Sequence, residues 1–276
     1  MKLRIITSIV FAIVGLPILF LSKYIVYPIA LSLFALVAAF EMLRVLGAHK
    51  NYFVSIPAYI AALAFPVGAF FVAFENIKNY LLILAGALFA YLIYLFFFAV
   101  FMKGTLPYSK ITEVFASVTY VVCSFTALSV IRYMPNGIWN LSLVLFAAWG
   151  SDVFAYFTGF FFGKHKLIPE ISPKKTIEGS IGGIVMATVC FLVFGLILDK
   201  ATSVVPNYIV LAISGLILSV ISQLGDLIAS LIKREHGVKD YGKLLPGHGG
   251  VMDRFDSVLA VTTVLMIICI VFPPFK

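Results

Sequence analysis

Charged side chains are scarce in this sequence, since Asp, Glu, Lys and Arg together make up 12% of its 276 residues. Apolar residues make up 62%, and the mean hydropathy is +1.10. A soluble globular domain usually carries about 25% charged residues. The scarcity of charge therefore excludes an ordinary soluble domain and indicates an integral membrane protein.

Cysteine is also scarce, and the three that occur lie singly inside apolar runs, at Cys123, Cys190 and Cys269. No CxxC pair or Cys/His ligand spacing is present, which excludes a zinc site or a redox pair of the usual spacing. Low-complexity tracts and obvious internal repeats are absent as well. The composition favours one all-α, polytopic bundle with loops of unequal length.

Long apolar runs dominate what is present. About 20 mainly apolar residues are needed to cross the hydrocarbon core of a bilayer. On that rule the sequence predicts nine transmembrane helices, near Arg4–Phe20, Tyr24–Leu46, Tyr52–Phe74, Tyr80–Met102, Ile111–Ile131, Ile138–Phe162, Gly179–Leu198, Tyr208–Ile232 and Phe255–Phe272.

The basic residues predict the orientation of these spans. In a nine-span arrangement, fifteen of the 20 Lys and Arg residues fall on one side of the membrane. The positive-inside rule then places the N-terminus and both long loops in the cytoplasm, and the C-terminus outside. We expect a multi-pass protein of the cytoplasmic (inner) membrane. Its N-terminal region, 1–135, would hold about five spans, and its C-terminal region, 136–276, would carry the loops 163–180 and 233–254.

Some charged residues need no functional explanation. Lys103 and Lys110 are expected only to set topology and contact anionic headgroups. Glu41 and Arg44 are spaced i, i+3 near a helix end, and we interpret them as a structural pair.

The loop 163–180 contains the stretch "SPKKTIEGS". Ser172 followed by Pro173 is typical of a helix start, which would place Lys174, Lys175 and Thr176 at a helix N-terminus. Such an end favours phosphate binding. The alternative from this loop alone is an interfacial turn whose lysines extend to the headgroups.

Several carboxylates lie inside or next to predicted spans. Asp226 falls within an apolar helix, where a carboxylate is costly and usually faces a polar cavity or a partner. Asp253 and Asp256 are spaced i, i+3 and point the same way if a helix begins at residue 252. Asp152, in the sixth span, is a further acid on the same side. Converging carboxylates need positive charge between them.

Oxygen ligands without a His/Cys cluster favour a hard cation such as Mg²⁺, with positions left for substrate phosphates. Whether a second cation joins it stays open. Glycines nearby would let a bulky anion approach the backbone. This combination of acids, cations and glycines is typical of phosphoryl or nucleotidyl transfer. The surrounding cationic residues and glycines are Lys233, Arg234, Lys239, Lys243, His248, Arg254, Gly242, Gly247, Gly249 and Gly250.

The segment from Ser230 to Asp256 resembles the C-terminal signature of the phosphatidate cytidylyltransferases, also called CDP-diacylglycerol synthases. The signature S-x-x-K-R-x4-K-D-x5-P-G-H-G-G-x-x-D-R-x-D is matched at every position. "SPKKTIEGS" is similar to that family's second cytoplasmic stretch, and the resemblance covers the chain from Trp149 onward.

The resemblance implies an integral membrane enzyme that joins CTP and phosphatidic acid to give CDP-diacylglycerol and pyrophosphate, with Mg²⁺. CTP, phosphatidic acid and membrane lipid are then the expected partners, and no nucleic-acid partner is expected. A homodimer is compatible with the sequence. The interpretation assigns three sets of residues. The catalytic set is Asp226, Asp253, Lys233, Arg254 and His248. The metal set is Asp226, Asp253 and Asp256. The phosphate-binding set is Lys174, Lys175, Thr176, Lys233, Arg234, Lys239, Lys243, Gly249 and Gly250.

Two other classes remain open. A transporter or channel would also bury carboxylates, but it usually shows broken helices or paired inverted repeats, and neither is evident. A different membrane phosphotransferase, such as a lipid kinase or a CDP-alcohol phosphotransferase, would share the metal chemistry. The D-G-x-x-A-R pattern of the latter family is absent.

Overall fold

A computed structural model describes residues 13, 15, 17–102, 107–244, 247 and 249–276. Within these ranges the chain is mostly helical. The helices are α1 (Val26–Val45), α2 (Tyr52–Gly68), α3 (Ile77–Phe101), α4 (Tyr108–Tyr133), α5 (Gly137–Leu145), α6 (Ser151–Phe162), α7 (Ile177–Ala201), α8 (Tyr208–Glu235) and α9 (Met252–Val271). Short 3₁₀ turns occupy Ala69–Phe71 and Phe74–Asn76, and a π-helical turn, Phe146–Gly150, joins α5 to α6.

Across the described ranges, eight helices are long and apolar enough to cross a membrane. Helices α5 and α6 form one of them, Gly137–Phe162, with the π-helical turn between. These eight confirm the last eight spans predicted from hydropathy, with ends that differ by a few residues. Most of the predicted first span, Arg4–Phe20, lies outside the described residues.

The all-α prediction is confirmed, with one small exception in the loop 163–180. There β1 (Lys166–Ile168) pairs antiparallel with β2 (Ser172–Thr176), so that Lys166 lies opposite Thr176 and Ile168 opposite Ser172. The hairpin leads directly into α7.

The chain divides into two compact units. Unit 1 comprises residues 1–133 and 238–254, and unit 2 comprises residues 134–237 and 255–276. The domain division predicted from the sequence, at residue 135, stays a prediction.

In unit 1, helix α1 packs on α2 and α4, and α3 packs against α4. Helix α4 is the most buried of the candidate spans. Side chains of α3 and α4 donate to carbonyls near the C-terminal end of α2. Ser129 donates to the Pro66 carbonyl at 2.7 Å, and Tyr80 donates to that of Phe65.

In unit 2, helix α7 packs between α6 and α8, and glycines set how closely the helices approach. A Cβ atom at Gly183 would lie 2.7 Å from the Ser151 carbonyl oxygen on α6, and one at Gly215 would lie 2.8 Å from the Thr188 Cα on α7. Only glycine allows such contacts. The close packing brings the polar residues of α6 and α8 together.

Candidate active site

Three charged side chains are buried in the described part of the chain: Glu41, Asp253 and Asp256. Their exposed fractions are 3%, 8% and 9%. Burying a charge is costly unless it is paired or accepts hydrogen bonds. Each of the three therefore needs a partner that explains its burial.

Helix α8 brings Asp226 to α9 in unit 2. A Cβ atom at Gly225 would lie 2.5 Å from the Ala260 Cβ and 2.9 Å from the Asp256 carbonyl oxygen, so the two helices are in contact at this level. The side chain of Asp256 is within electrostatic range of Asp226. The structure therefore brings together two of the three carboxylates predicted to hold metal.

Asp152 is the third carboxylate of this group, and we call Asp152, Asp226 and Asp256 the acidic cluster. It interacts electrostatically with both other members. The π-helical turn Phe146–Gly150 ends two residues before Asp152. Turns of this kind, which often mark functional sites, change the direction of the following side chains. Ser151, the residue before Asp152, donates its hydroxyl to the Ala148 carbonyl. The Ser151 Oγ also lies 3.3 Å from the Ser222 Oγ on α8.

The β-hairpin supplies a cation to the acidic cluster. Lys175, on β2, places its Nζ 2.6 Å from Asp226 Oδ2. Both side chains are partly exposed, at 24% and 29%. An ammonium group therefore neutralises part of the charge of the three acids.

The helix start predicted at Ser172–Pro173 is wrong. Ser172–Thr176 is a strand, and α7 begins at Ile177 with Thr176 as its N-cap, whose hydroxyl accepts from the Gly179 amide at 3.1 Å. Threonine is also a preferred N-cap residue, and cross-strand pairing with Lys166 holds the preceding residues extended. Lys174 and Lys175 thus precede the helix, on a strand.

The remaining cationic candidates differ in their surroundings. Lys233, on α8, is partly buried and interacts electrostatically with Asp256. His248 and Pro246 of the signature lie outside the described residues. The other candidates are exposed: Lys174, Arg234, Lys239, Lys243 and Arg254.

Asp253 lies in unit 1, at the first turn of α9. Its Oδ2 accepts from the backbone amides of Tyr241, at 2.8 Å, and Gly250, at 2.9 Å. We call residues 241–252 the glycine loop; its described members are 241–244, 247 and 249–252. Gly249 has φ +83°, and a Cβ atom there would lie 2.7 Å from Asp253 Oδ2, so this position requires glycine.

Sequence reasoning missed the role of Glu41, a residue of α1. Its carboxylate accepts from the amides of Val251 and Met252 rather than forming an isolated pair with Arg44, whose guanidinium donates to the Tyr241 carbonyl. A signal was present, because a carboxylate within an apolar span is costly wherever it occurs. The partner of Glu41 could not be read from local spacing.

Known proteins are similar to this chain over nearly its whole length. The model of the "Cytidylyltransferase family" matches residues 2–272. The chain belongs to this family. A "Phosphatidate cytidylyltransferase" of Bacillus subtilis (strain 168) is 37% identical over 282 residues, covering 99% of this chain and 98% of the relative. Proteins of the same name from Staphylococcus saprophyticus and Staphylococcus aureus (strain COL) are 35% and 36% identical, over 98% of this chain and 99% of each relative.

Membership in the cytidylyltransferase family makes this chain a nucleotidyltransferase and confirms the resemblance seen in the signature. The match extends over the first five spans as well, which the signature alone did not cover. Helix α1 with its buried Glu41 is thus part of the region shared with the relatives.

The donor chemistry of this cytidylyltransferase fits a hard divalent cation. The acidic cluster offers only carboxylate oxygens, and Lys175 already places a positive charge against Asp226. Among the described residues, no three Asp, Glu, His or Cys side chains are grouped tightly enough to hold a metal ion by themselves. Mg²⁺ commonly takes one or two carboxylates and completes its shell with substrate phosphates and water.

Proposed function

We propose that this chain is a phosphatidate cytidylyltransferase, which transfers CMP from CTP to phosphatidic acid and forms CDP-diacylglycerol and pyrophosphate. The observation that carries the proposal is the acidic cluster with its lysines, set in a bundle of membrane-spanning helices. A reaction between a lipid phosphate and a nucleotide needs groups next to the membrane that neutralise the negative charge of the phosphates. The similarity to proteins of this name over nearly the whole chain supports the same reaction.

The chemistry requires no general base in the chain. A phosphate oxygen of phosphatidate, already ionised at neutral pH, attacks the α-phosphorus of CTP. The new P–O bond forms while the bond from the α-phosphorus to the oxygen bridging to the β-phosphorus breaks, and pyrophosphate carries away the electron pair. Catalysis then depends on positioning and on neutralisation of charge that builds in the transition state.

The residues of the chain supply those two effects. Lys175 and Lys233 lie at the acidic cluster and would neutralise phosphate charge, with Arg254 and His248 as further candidates. Asp226 and Asp256, both in unit 2, would hold Mg²⁺, and the metal role of Asp253, in unit 1, stays a prediction. Bound there, Mg²⁺ would offset the charge of the nucleotide phosphates. Mg²⁺ dependence, a second cation and a homodimeric state stay predictions.

The location follows from the substrates. Phosphatidate keeps its acyl chains in the bilayer, whereas CTP arrives from the aqueous phase, so the reacting groups must meet at a membrane face. We propose that this face is the cytoplasmic side of the inner membrane, because the count of basic residues favours that side.

A nucleotide survey tests the proposal. Purified protein would be incubated with phosphatidate, Mg²⁺ and each nucleoside triphosphate in turn, and pyrophosphate would be measured. We expect release only when CTP and phosphatidate are present together. Release without phosphatidate, or equal release from all nucleotides, would contradict it, and a transporter or a lipid kinase would release no pyrophosphate under these conditions.

A further inference from the structure

Glu41 is the least exposed charged side chain of the described residues, at 3%. Its two carboxylate oxygens accept from the Val251 amide at 3.2 Å and the Met252 amide at 2.9 Å. These amides stand at the start of α9, where helical N–H groups have no partner within the helix. A carboxylate at this end also interacts favourably with the helix dipole. The Glu41 side chain, which belongs to α1, therefore caps the N-terminus of α9.

The backbone of the glycine loop closes around this carboxylate. A Cβ atom at Gly242 would lie 1.9 Å from Glu41 Oε1, and one at Gly250 would lie 2.2 Å from Oε1 and 2.4 Å from Oε2. Neither position has space for a side chain while Glu41 is in place. These two glycines thus provide clearance for an anion that belongs to the protein itself.

The same loop fixes Asp253. The Tyr241 amide donates to Asp253, and the Tyr241 carbonyl accepts from Arg44, one turn beyond Glu41 on α1. At the other end of the loop, the Gly250 amide donates to Asp253 while the next amide, of Val251, donates to Glu41. Both ends of the loop are therefore tied to α1 and to the Asp253 carboxylate.

We propose that Glu41 is a positioning residue for cytidylyl transfer: it caps α9 and holds the glycine loop in the conformation that orients Asp253. The proposal rests on the proposed function, in which Asp253 contributes to the reaction. Glu41 itself touches none of the reacting groups in this role. Its contribution is to keep a catalytic carboxylate in its productive geometry. Loss of this geometry would strongly lower the reaction rate.

Hydrogen exchange of the glycine loop provides the first test. We would compare the wild-type protein with Glu41→Gln, which has one acceptor oxygen in place of two and leaves one amide without its partner. We expect peptides covering residues 241–252 to exchange at least tenfold faster. Glu113→Gln is the matched control, because Glu113 pairs with Lys110 on α4, is 40% exposed and lies outside the loop. Unchanged exchange in Glu41→Gln would overturn the proposal.

The kinetic constants separate positioning from general stability. We expect Glu41→Gln to lower kcat at least tenfold and to leave KM for CTP within threefold, because the loss falls on the transition state. Glu41→Asp keeps both oxygens on a shorter stem, and we expect it to recover part of the rate. Faster exchange with an unchanged kcat would overturn the proposal, because the loop would then have no influence on the reaction.

A double-mutant cycle tests the contact between Glu41 and Gly250. Gly250→Ala alone should accelerate loop exchange, whereas Glu41→Ala/Gly250→Ala should exchange no faster than Glu41→Ala, since the new methyl group enters the space left by the carboxylate. Additive effects would overturn the contact. Should Glu41→Ala fail to fold, the same cycle is run with Glu41→Asp.

The exchange data do not depend on the reaction. A wild-type protein that releases no pyrophosphate from CTP and phosphatidate would overturn the proposed function, while exchange would still report whether Glu41 holds the loop. An active wild-type protein with unchanged exchange in Glu41→Gln would overturn only the positioning role.

Discussion

The Lys175–Asp226 ion pair sets the charge of the acidic cluster at the scale of single residues. The cluster has three carboxylates and two ammonium groups, that of Lys175 at 2.6 Å from Asp226 and that of Lys233 within electrostatic range of Asp256, so its ionised form retains an excess of negative charge. Like charges in a partly buried site repel unless a further cation joins them. The excess therefore favours uptake of a metal ion, and we propose that Lys175 acts in the site rather than only contacting lipid headgroups.

We expect Lys175→Ala and Asp226→Asn each to lower kcat/KM about a hundredfold, because each removes a charge that acts on the transition state. The double variant should lose little more than the worse single variant, since the two side chains contact each other. The measurement is pyrophosphate release in mixed micelles at a fixed surface concentration of phosphatidate.

The control for this cycle is the pair Lys110–Glu113 on α4, which has the same kind of contact at 2.7 Å. We expect Lys110→Ala and Glu113→Gln to stay within a few fold of wild type. Equal, small losses in both pairs would favour the headgroup interpretation of Lys175 and would restrict the site to the C-terminal signature.

We expect Asp253→Asn to abolish activity without preventing membrane insertion. The amide keeps the shape of the side chain and one acceptor oxygen, but it is a poor ligand for Mg²⁺. Activity and the elution volume of the purified variant would be measured together. Turnover near the wild-type rate at ordinary Mg²⁺ concentrations would contradict a metal role for this residue.

The acids of the site could be predicted because a carboxylate in an apolar span is costly wherever it occurs. Asp152 and Asp226 were predicted in this way, and Asp256 from its i, i+3 spacing with Asp253; the structure brings Asp152, Asp226 and Asp256 together. The same cost applies to Glu41, but the nearby Arg44 offered a local partner that satisfied the pattern. The amides that Glu41 binds lie 210 and 211 residues away, and only the folded chain brings them into contact.

At the scale of elements, the helices followed from hydropathy and the hairpin did not. The local signal for a helix start is stronger at Ser172–Pro173 than at Thr176, yet the helix begins after Thr176. Pairing of β2 with β1 decides between them, and such pairing depends on residues that a local pattern does not weigh. The consequence reaches the site, because Lys175 approaches Asp226 from a strand.

The contact between α8 and α9 yields a prediction at this scale. We expect Gly225→Ala to lower activity at least tenfold, because its methyl group would separate the two helices where Asp226 and Asp256 face each other. Gly86→Ala on α3 is the matched control, since a Cβ atom there meets nothing within 4 Å. Pyrophosphate release would be compared for the two variants at equal folded protein.

A loss of activity shared by Gly86→Ala would point to a general effect of alanine in these helices. Normal activity in Gly225→Ala would show that the spacing of Asp226 and Asp256 is not critical. Thermal unfolding of both variants in detergent would separate a loss of fold from a loss of geometry.

At the scale of the whole molecule, composition predicted the class of protein. The long apolar runs predicted the eight spans of the described ranges. A mean hydropathy of +1.10 leaves few alternatives to a helical membrane protein. The division into two units was harder to predict, because residues 238–254 join unit 1 although they follow unit 2 in the chain. Residues 238–254 make contacts with unit 1 such as that between the Met252 amide and Glu41, and a hydropathy profile does not predict contacts of this kind.

Topology is the last prediction. In a background with Cys123, Cys190 and Cys269 replaced by serine, single cysteines would be introduced at Glu170 and Leu244 in the two long loops, and at Lys78 and Lys200 as controls. Because fifteen of the 20 basic residues fall on one side, we expect a membrane-impermeant maleimide to label only the controls in intact cells. Permeabilised cells should show labelling at all four exposed positions. Labelling of one long loop but not the other in intact cells would place Lys175 and the signature on opposite sides of the membrane, and a single active site that uses both could not exist.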